Sequence, residues 1–227
     1  MTDAVLDQPG RGRHPACMQR RAVIGLLLAG CALYPAWAGA EDLALQLVSA
    51  ARAQVGVTTI YDPAYVVLDF PGGDVDRARG VCTDVVIRAF RDGLGIDLQR
   101  AVNRDMKAAF ARYPQSWGLK RPDRNIDHRR VGNLRRLFER VGAELPLSGD
   151  RASGDFKAGD LVTVTLPGNL PHVMILSDRS GPSGHLLVLH NIGGGAQEED
   201  QLDLFPMTGH YRLTPEALAR LSALSGG

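Results

Sequence analysis

Three short aliphatic runs in the second half of the chain restrict its fold more than any other feature. They read "LVTVTL", "HVMILSD" and "HLLVLHN", and the Gly- and Pro-containing segments "PGNLP" and "RSGPSG" separate them. Short β-branched and aliphatic runs between such turns are typical of strands joined by hairpins. We therefore expect an antiparallel sheet after Leu147, with one more short strand in "GHYRL".

The part of the chain before Leu147 has helical spacing instead. Apolar residues recur every three or four positions in "DLALQLVSAARAQVG", from Cys82 to about Arg91, in "DLQRAVNRDMKAAFARYP" and in "VGNLRRLFERVG". A closing helix is expected in "PEALARLSAL", with Thr214 as its N-cap. Helices followed by an antiparallel sheet predict a single α+β domain over residues 41–227.

The first 40 residues have the order of a secretory signal peptide. Arg20 and Arg21 precede the apolar stretch "AVIGLLLAGCAL", and small residues follow in "PAWAGAED". This order predicts export to the periplasm, by the general or the twin-arginine route, and removal of residues 1–40. "LAGC" also fits a lipoprotein signal, in which Cys31 carries a lipid anchor for the outer membrane. Of the two, we favour the cleaved periplasmic form.

Charge and spacing argue against several classes of partner. The 26 Lys and Arg residues are balanced by 25 Asp and Glu residues, whereas nucleic-acid binders concentrate a basic excess on one face. After residue 35 no apolar run approaches the roughly 20 residues of a transmembrane helix. Asp123, Asp127 and His128 match no common zinc or calcium motif, so we expect no metal or other cofactor. We expect a monomer.

Cys82 is the single cysteine of the predicted mature domain. Cys17 and Cys31 lie in the leader, so Cys82 has no intramolecular disulfide partner. It begins a predicted helix and shares a face with the apolar residues three, four, seven and eight positions later. Free N–H groups in the first turn and the helix dipole favour a thiolate with a lowered pKa. The alternative interpretation is a small buried hydrophobic residue without a chemical role.

Two histidines of the strand segments are candidate partners of this thiol. His172 begins "HVMIL", and His190 ends "HLLVLH". In a hairpin around "RSGPSG", the start of the first strand lies beside the end of the second, which makes the two side chains neighbours. A thiol, an imidazole that carries the proton and a third group that fixes its tautomer form a cysteine-hydrolase site. We expect Asn191 to assist His190 as the third group.

The segment "NIDHRRVGNL" contains a candidate substrate subsite. Asp127, His128 and Arg129 stand just before a predicted helix, and His128 or Arg129 could bind a substrate carboxylate. The structural interpretation, which we favour, is helix capping by Asn125 or Asp127 beside a solvated basic face.

Together, these motifs resemble NlpC-type papain-like cysteine peptidases and amidases. In that clan a Gly-Asp-apolar strand, here "KAGDLVTVTL", leads to a histidine on the next strand and a polar residue one strand later. "GVCTDVV" occupies the place of the cysteine-bearing helix start. From "YDPAYV" through "GVCTDVVIRAFR", "NIDHRRVGNL" and "HNIGGG" to "GHYR", the chain closely resembles a bacterial periplasmic family described as a domain of unknown function within this clan.

The resemblance implies a papain-like α+β fold and a role for each site residue. Cys82 matches the nucleophile, His172 the general base and His190 the orienting residue. The clan also has an upstream tyrosine that helps to bind the oxyanion, for which Tyr61 and Tyr65 are both available. We prefer Tyr65.

One departure from the clan concerns the residues after the cysteine. The clan usually has Ser-Gly there, and this chain has Thr83-Asp84. A carboxylate that faced the sulfur would favour the protonated thiol. We expect Asp84 to point away, because successive helix residues do not share a face.

These features predict an exported thiol hydrolase, a cysteine peptidase or amidase that cuts amide bonds in the stem peptides of peptidoglycan. The substrate rests on the compartment and on the resemblance alone. The main alternative is a non-catalytic periplasmic binding module that uses the same cleft. A further alternative is transfer of an acyl group to an acceptor other than water by the same chemistry.

Overall fold

The structure of the chain is a computed structural model that describes residues 39–147 and 155–226. The predicted signal peptide ends at residue 40, so all but its last two residues lie outside the described part of the chain. The same holds for Cys31 and its alternative role as a lipid anchor. Within the two described ranges, no helix combines the length and the apolar character that a membrane span needs.

The helices occupy much of the first half of the described chain and its last residues, as the apolar spacing predicts. They are α1 (Ala40–Arg52), α2 (Cys82–Leu94), α3 (Leu98–Ala109), α4 (Val131–Val141) and α5 (Pro215–Ser225). Short 3-10 turns at Phe110–Arg112 and Asp127–Arg129 follow α3 and precede α4. The Thr214 hydroxyl accepts a hydrogen bond from the Ala217 N–H at 3.2 Å, which confirms the predicted N-cap of α5.

The second half of the described chain forms a six-stranded antiparallel sheet in the spatial order β3-β8-β4-β5-β6-β7. Its strands are β3 (Glu144–Leu145), β4 (Leu161–Leu166), β5 (Leu170–Ser180), β6 (Leu186–Asn191), β7 (Ala196–Glu199) and β8 (Met207–Tyr211). Two further short strands, β1 (Ile60–Tyr61) and β2 (Arg79–Gly80), pair with each other in parallel. The α+β class is confirmed, and the predicted hairpin around "RSGPSG" is the β5–β6 pair.

Side chains alternate along each strand and so point to the two faces of the main sheet, and both faces carry a buried cluster. One face packs against the helices in a core that includes Val173 of β5 and Cys82 of α2. The other face carries a smaller apolar cluster that includes Met174 of β5 and Leu202. His172 is in the same alternation as Met174, so its side chain leaves β5 on the face opposite the helices.

Candidate active site

The start of α2 places Cys82 at the junction between the helices and the sheet. Cys82 is the first residue of the helix, and the N–H of Val81 before it donates to Asp84 Oδ2 at 2.7 Å. Gly80 allows this tight entry, since a Cβ atom there would lie 3.0 Å from the Asp84 Cβ atom. A side chain at residue 80 would therefore crowd the Asp84 side chain in the first turn of α2.

The Cys82 sulfur lies near the backbone N–H of Val173 in β5, the residue that follows His172. The N–H of Leu176 points toward β4, where it donates to the Asp160 carbonyl at 2.8 Å. Because backbone groups alternate, the N–H of Val173 points to the other side, toward β6. The β5–β6 ladder reaches Ile175 but not Val173, so the sulfur lies where the two strands separate.

Burial controls the acidity of this thiol. Cys82 is 5% exposed, and burial raises the pKa of its thiol to about 11. The N–H groups of Val173 and Thr83 lower this pKa, and the charge of Asp84 raises it further. The predicted lowering of the pKa is therefore wrong in this conformation, because the loss of water around the sulfur outweighs the nearby N–H groups.

The Asp84 carboxylate is held by a buried arginine. Its two oxygens accept hydrogen bonds from Arg129 Nε and Nη2, both at 2.9 Å. Arg129 also donates to the backbone carbonyls of Asp62 and Ala64 at 3.1 and 3.0 Å, so it ties the loop after β1 to the start of α2. Asp84, the second of the two residues that differ from the clan's Ser-Gly, therefore has a structural role in this ion pair.

His172 and His190 are in direct contact. Their Nε2 and Nδ1 atoms share a hydrogen bond of 2.9 Å, and their rings meet edge to face with centroids 5.1 Å apart. Both residues are 1% exposed. Burial lowers the pKa of His172 to about 3, with a further contribution from His190, so the ring is neutral at neutral pH. The register of the hairpin, which pairs Leu176 with Val188, brings the two rings together.

The remaining ring nitrogen of His172, Nδ1, has no hydrogen-bond partner among the described residues. Nor does a hydrogen bond join the Cys82 sulfur to this ring within that part of the chain. The sulfur lies near the N–H of Val173, the residue next to His172. The structure therefore brings the two predicted histidines together and places the thiol beside the same strand, while the third contact is not formed.

Glu199 completes the histidine pair, and sequence reasoning missed it. His190 Nε2 lies 2.9 Å from Glu199 Oε2 on the neighbouring strand β7. The carboxylate opposes the lowering of the His190 pKa that burial causes. The segment "NIGGGAQEED" has neither alternation nor a run of strand-forming residues, so the sequence gives no signal for β7.

Tyr61, and not Tyr65, lies near the thiol. Burial raises the pKa of Tyr61, and the proximity of Cys82 adds to this effect. The Tyr65 hydroxyl instead lies 3.1 Å from Asp123 Oδ2 and accepts a hydrogen bond from Asn125 at 2.8 Å, with 55% of the residue exposed. The loop after β1 thus directs the preferred Tyr65 away from the thiol, and no local pattern in the sequence indicates that turn.

Asn191 does not assist His190. Its Nδ2 atom donates to the Gly80 carbonyl at 3.0 Å, and its Oδ1 atom accepts from the Gly193 N–H at 3.1 Å. Consecutive residues of a strand point to opposite faces, so Asn191 faces the helix while His190 faces the second cluster. The side chain of Asn191 thus anchors the chain just before Cys82.

The predicted subsite of Asp127, His128 and Arg129 is largely a structural cluster. All three residues are buried, so the expected solvated basic face is also absent from this described segment. Asp127 accepts hydrogen bonds from the Asp123 N–H at 2.6 Å and from Arg130 at 2.9 Å. Burial lowers the pKa of His128 to about 3. Among the three, Arg129 reaches the cleft beside the thiol.

This cleft has a volume of about 230 Å³ and borders Cys82 directly. Tyr61 and Pro171 line it, together with Arg130, whose guanidinium lies over the Trp117 ring at 4.1 Å. Trp117 is 41% exposed, so the cleft opens onto an aromatic surface. In the parts of the chain that the structure describes, no cluster of three His, Cys, Asp or Glu side chains could hold a metal ion.

One family model and one relative match most of the chain. The family described as "Domain of unknown function (DUF1287)" matches residues 48–213, which include Cys82, His172, His190 and Glu199. The chain is also 52% identical over 168 residues to the uncharacterized protein YijF of Escherichia coli (strain K12). That match covers 74% of this chain and 80% of the relative. The chain therefore belongs to the DUF1287 family.

Proposed function

We propose that this protein is an exported thiol hydrolase with a papain-like fold of the NlpC type. Cys82 is its nucleophile, His172 its general base and His190 the residue that orients His172. Its substrates are amide bonds in the peptides of the bacterial cell wall. Residues 1–40 direct it to the periplasm, where such peptides are found.

The observation that carries this proposal is the buried contact between His172 and His190. The two imidazoles share a 2.9 Å hydrogen bond and are buried in the sheet. Burial of polar rings costs more desolvation free energy than burial of apolar side chains at the same positions would. Clusters of this kind, with pKa values shifted by burial, concentrate at functional sites. The thiol at the start of α2 supports the same conclusion, because its sulfur lies near the backbone of the residue that follows His172.

The shifted pKa values favour proton transfer during the attack over a preformed ion pair. The thiol pKa of about 11 and the His172 pKa of about 3 leave both groups neutral at rest. In the proposed reaction the His172 ring, which leaves β5 on the face opposite the helices, turns toward the sulfur where β5 and β6 separate. The sulfur then bonds to the amide carbonyl carbon as its proton passes to His172 Nδ1. The N–H of Cys82 and the Tyr61 hydroxyl donate to the oxyanion.

The second half of the reaction returns the proton. The C–N bond breaks, His172 gives the proton to the departing amine, and a thioester remains on Cys82. His172 then removes a proton from a water molecule that attacks the thioester carbon. The acid product leaves, and the thiol regains its proton from His172.

The test is mass spectrometry of purified muropeptides after incubation with the mature protein. We expect the wild type to release a fragment that Cys82→Ser and His172→Asn do not release. His185→Asn is the matched control, because His185 lies just before β6, at the end of that strand away from His190, and pairs with Asp203. Equal product from the wild type and Cys82→Ser would contradict the proposal. A product joined to a new amine, and not to water, would identify an acyltransferase.

The raised pKa of Cys82 favours a second candidate, a binding module that uses the same cleft without the thiol. In that case the wild type and Cys82→Ser bind muropeptides with equal affinity in calorimetric titrations, and neither variant releases a product. The absence of both binding and product across stem peptides of different composition would count against a cell-wall substrate.

A further inference from the structure

The Glu199 carboxylate contacts His190, and this contact determines which ring nitrogens of His190 and His172 carry protons. An ionised carboxylate can only accept hydrogen bonds. Glu199 Oε2 lies 2.9 Å from His190 Nε2, so this nitrogen carries the proton. In a neutral imidazole the other nitrogen is then an acceptor, which makes His190 Nδ1 the acceptor in the contact with His172.

The same reasoning extends one ring further. His172 Nε2 lies 2.9 Å from His190 Nδ1 and must donate to it. Since His172 is neutral, its Nδ1 atom then holds a lone pair and no proton. This is the form that can accept the proton of a thiol. The Glu199 carboxylate thus sets the tautomer of His172, although it contacts only His190.

We propose that Glu199 is a positioning residue that holds both imidazoles in the Nε2–H tautomer and so keeps His172 Nδ1 unprotonated for Cys82. This role rests on the proposed function, because it specifies how the base of that reaction is prepared. Removal of the carboxylate permits the opposite arrangement, in which His190 Nδ1 donates to His172 Nε2. The proton of His172 then moves to Nδ1, and the base is lost.

The surroundings of Glu199 fit a fixed, charged acceptor. The residue is part of β7, and its side chain is 30% exposed. With its amide nitrogen turned toward the carboxylate, Gln197 donates to the two Glu199 oxygens at 2.9 and 3.1 Å. Glu198, the adjacent residue, is engaged elsewhere by Arg52 and Ser177.

The test is nitrogen NMR of the protein with ¹⁵N-labelled histidine, in the wild type and in Glu199→Ala. We expect one Nε2–H tautomer for both His172 and His190 in the wild type, and a mixture with the Nδ1–H form in Glu199→Ala. Glu199→Gln keeps an acceptor oxygen without the charge and is expected to lie between them. Glu198→Gln removes a neighbouring carboxylate and is expected to leave both tautomers unchanged.

Activity provides a second readout. We expect Glu199→Ala to lower kcat by about 10- to 100-fold, the range for carboxylates that orient metal-binding histidines, with little change in KM. Added formate or acetate is expected to restore part of the rate, which a purely structural defect would not allow. The tautomer measurement needs no substrate, so an inactive wild type would count against the proposed function alone. A single Nε2–H tautomer in Glu199→Ala would overturn the role of Glu199, whatever the activity.

Discussion

At the scale of single residues, the candidate nucleophile and its base are both held in their uncharged forms. A helix N-terminus normally lowers the pKa of a cysteine. Here the sulfur is enclosed by α2 and β5, and the exclusion of water from this site has the larger effect. A residue can thus occupy a favourable position in its own helix and still be governed by what packs against it.

Alkylation of Cys82 by iodoacetamide tests this conclusion. Because only the thiolate reacts, and burial raises the thiol pKa to about 11, the rate is expected to keep rising well above pH 8.5 in the native protein. The rate is measured from the mass increase between pH 6 and 10, with unfolded protein as the reference. A plateau below about pH 8 would show a stabilised thiolate and contradict the neutral pair.

The sequence predicts the position of a site residue only where a local pattern marks that position. Cys82, His172 and His190 each stand at the end of a recognisable helix or strand segment, so their approximate placement follows from the pattern. Tyr61 and Glu199 depend on how a loop turns and on a strand that lacks any periodicity. Their contacts come from tertiary packing, which a single sequence does not encode in a local form.

At the scale of elements, α2 joins the candidate nucleophile to the loop between β1 and β2. Arg88, six residues after Cys82, is completely buried and donates to Asp74 at 3.0 Å and to several backbone carbonyls of the loop. The helical pattern of α2 contains this arginine among apolar positions. Pattern alone indicates the helix but not the partner that neutralises such a buried charge.

Replacement of Arg88 is expected to destabilise the protein strongly. Arg88→Leu leaves Asp74 with fewer partners and several carbonyls without a donor, and we expect a loss of about 3–5 kcal/mol in the free energy of unfolding. Arg77→Leu is the control, because Arg77 is half exposed and its pair with Asp92 contributes no more than about 1 kcal/mol. Urea unfolding measures both. Equal losses in the two variants would contradict the role given to Arg88.

Some helices and strands could be predicted from the apolar spacing of the sequence, and others could not. The helices and the strands β4, β5, β6 and β8 follow from apolar spacing, and the hairpin around "RSGPSG" follows from its turn residues. The pair of β1 and β2 has only two residues in each strand and forms where two loops pass side by side. Asp127–Arg129 forms a buried 3-10 turn although its composition is that of an exposed segment.

At the scale of the whole molecule, several buried histidines are neutral, and this makes folding sensitive to acid. Burial lowers the pKa of His128 and His172 to about 3 each and also lowers that of His190. In the unfolded chain these rings take up protons near pH 6.5. The unfolded state then binds more protons than the folded state, so stability falls as the pH drops from about 6.5 toward 3.

The slope of this loss can be measured away from the candidate site. Between pH 4.5 and 6, His128 and His172 are each expected to contribute up to about 1.4 kcal/mol per pH unit to the free energy of unfolding. His128→Asn removes one of them, so its stability is expected to depend less steeply on pH than that of the wild type. Urea unfolding at each pH provides the comparison. Parallel curves for the two proteins would show that His128 is not held neutral by the fold.

The end of β6 has a mechanical consequence for the molecule. His190 and Asn191 are consecutive, and one bonds to the His172 ring while the other bonds to the Gly80 carbonyl before α2. A force that displaced the sulfur-bearing helix would therefore be transmitted to the strand end that carries the His190 imidazole. Because that strand end also holds the His172 ring through His190, the start of the helix and the histidine pair are mechanically coupled.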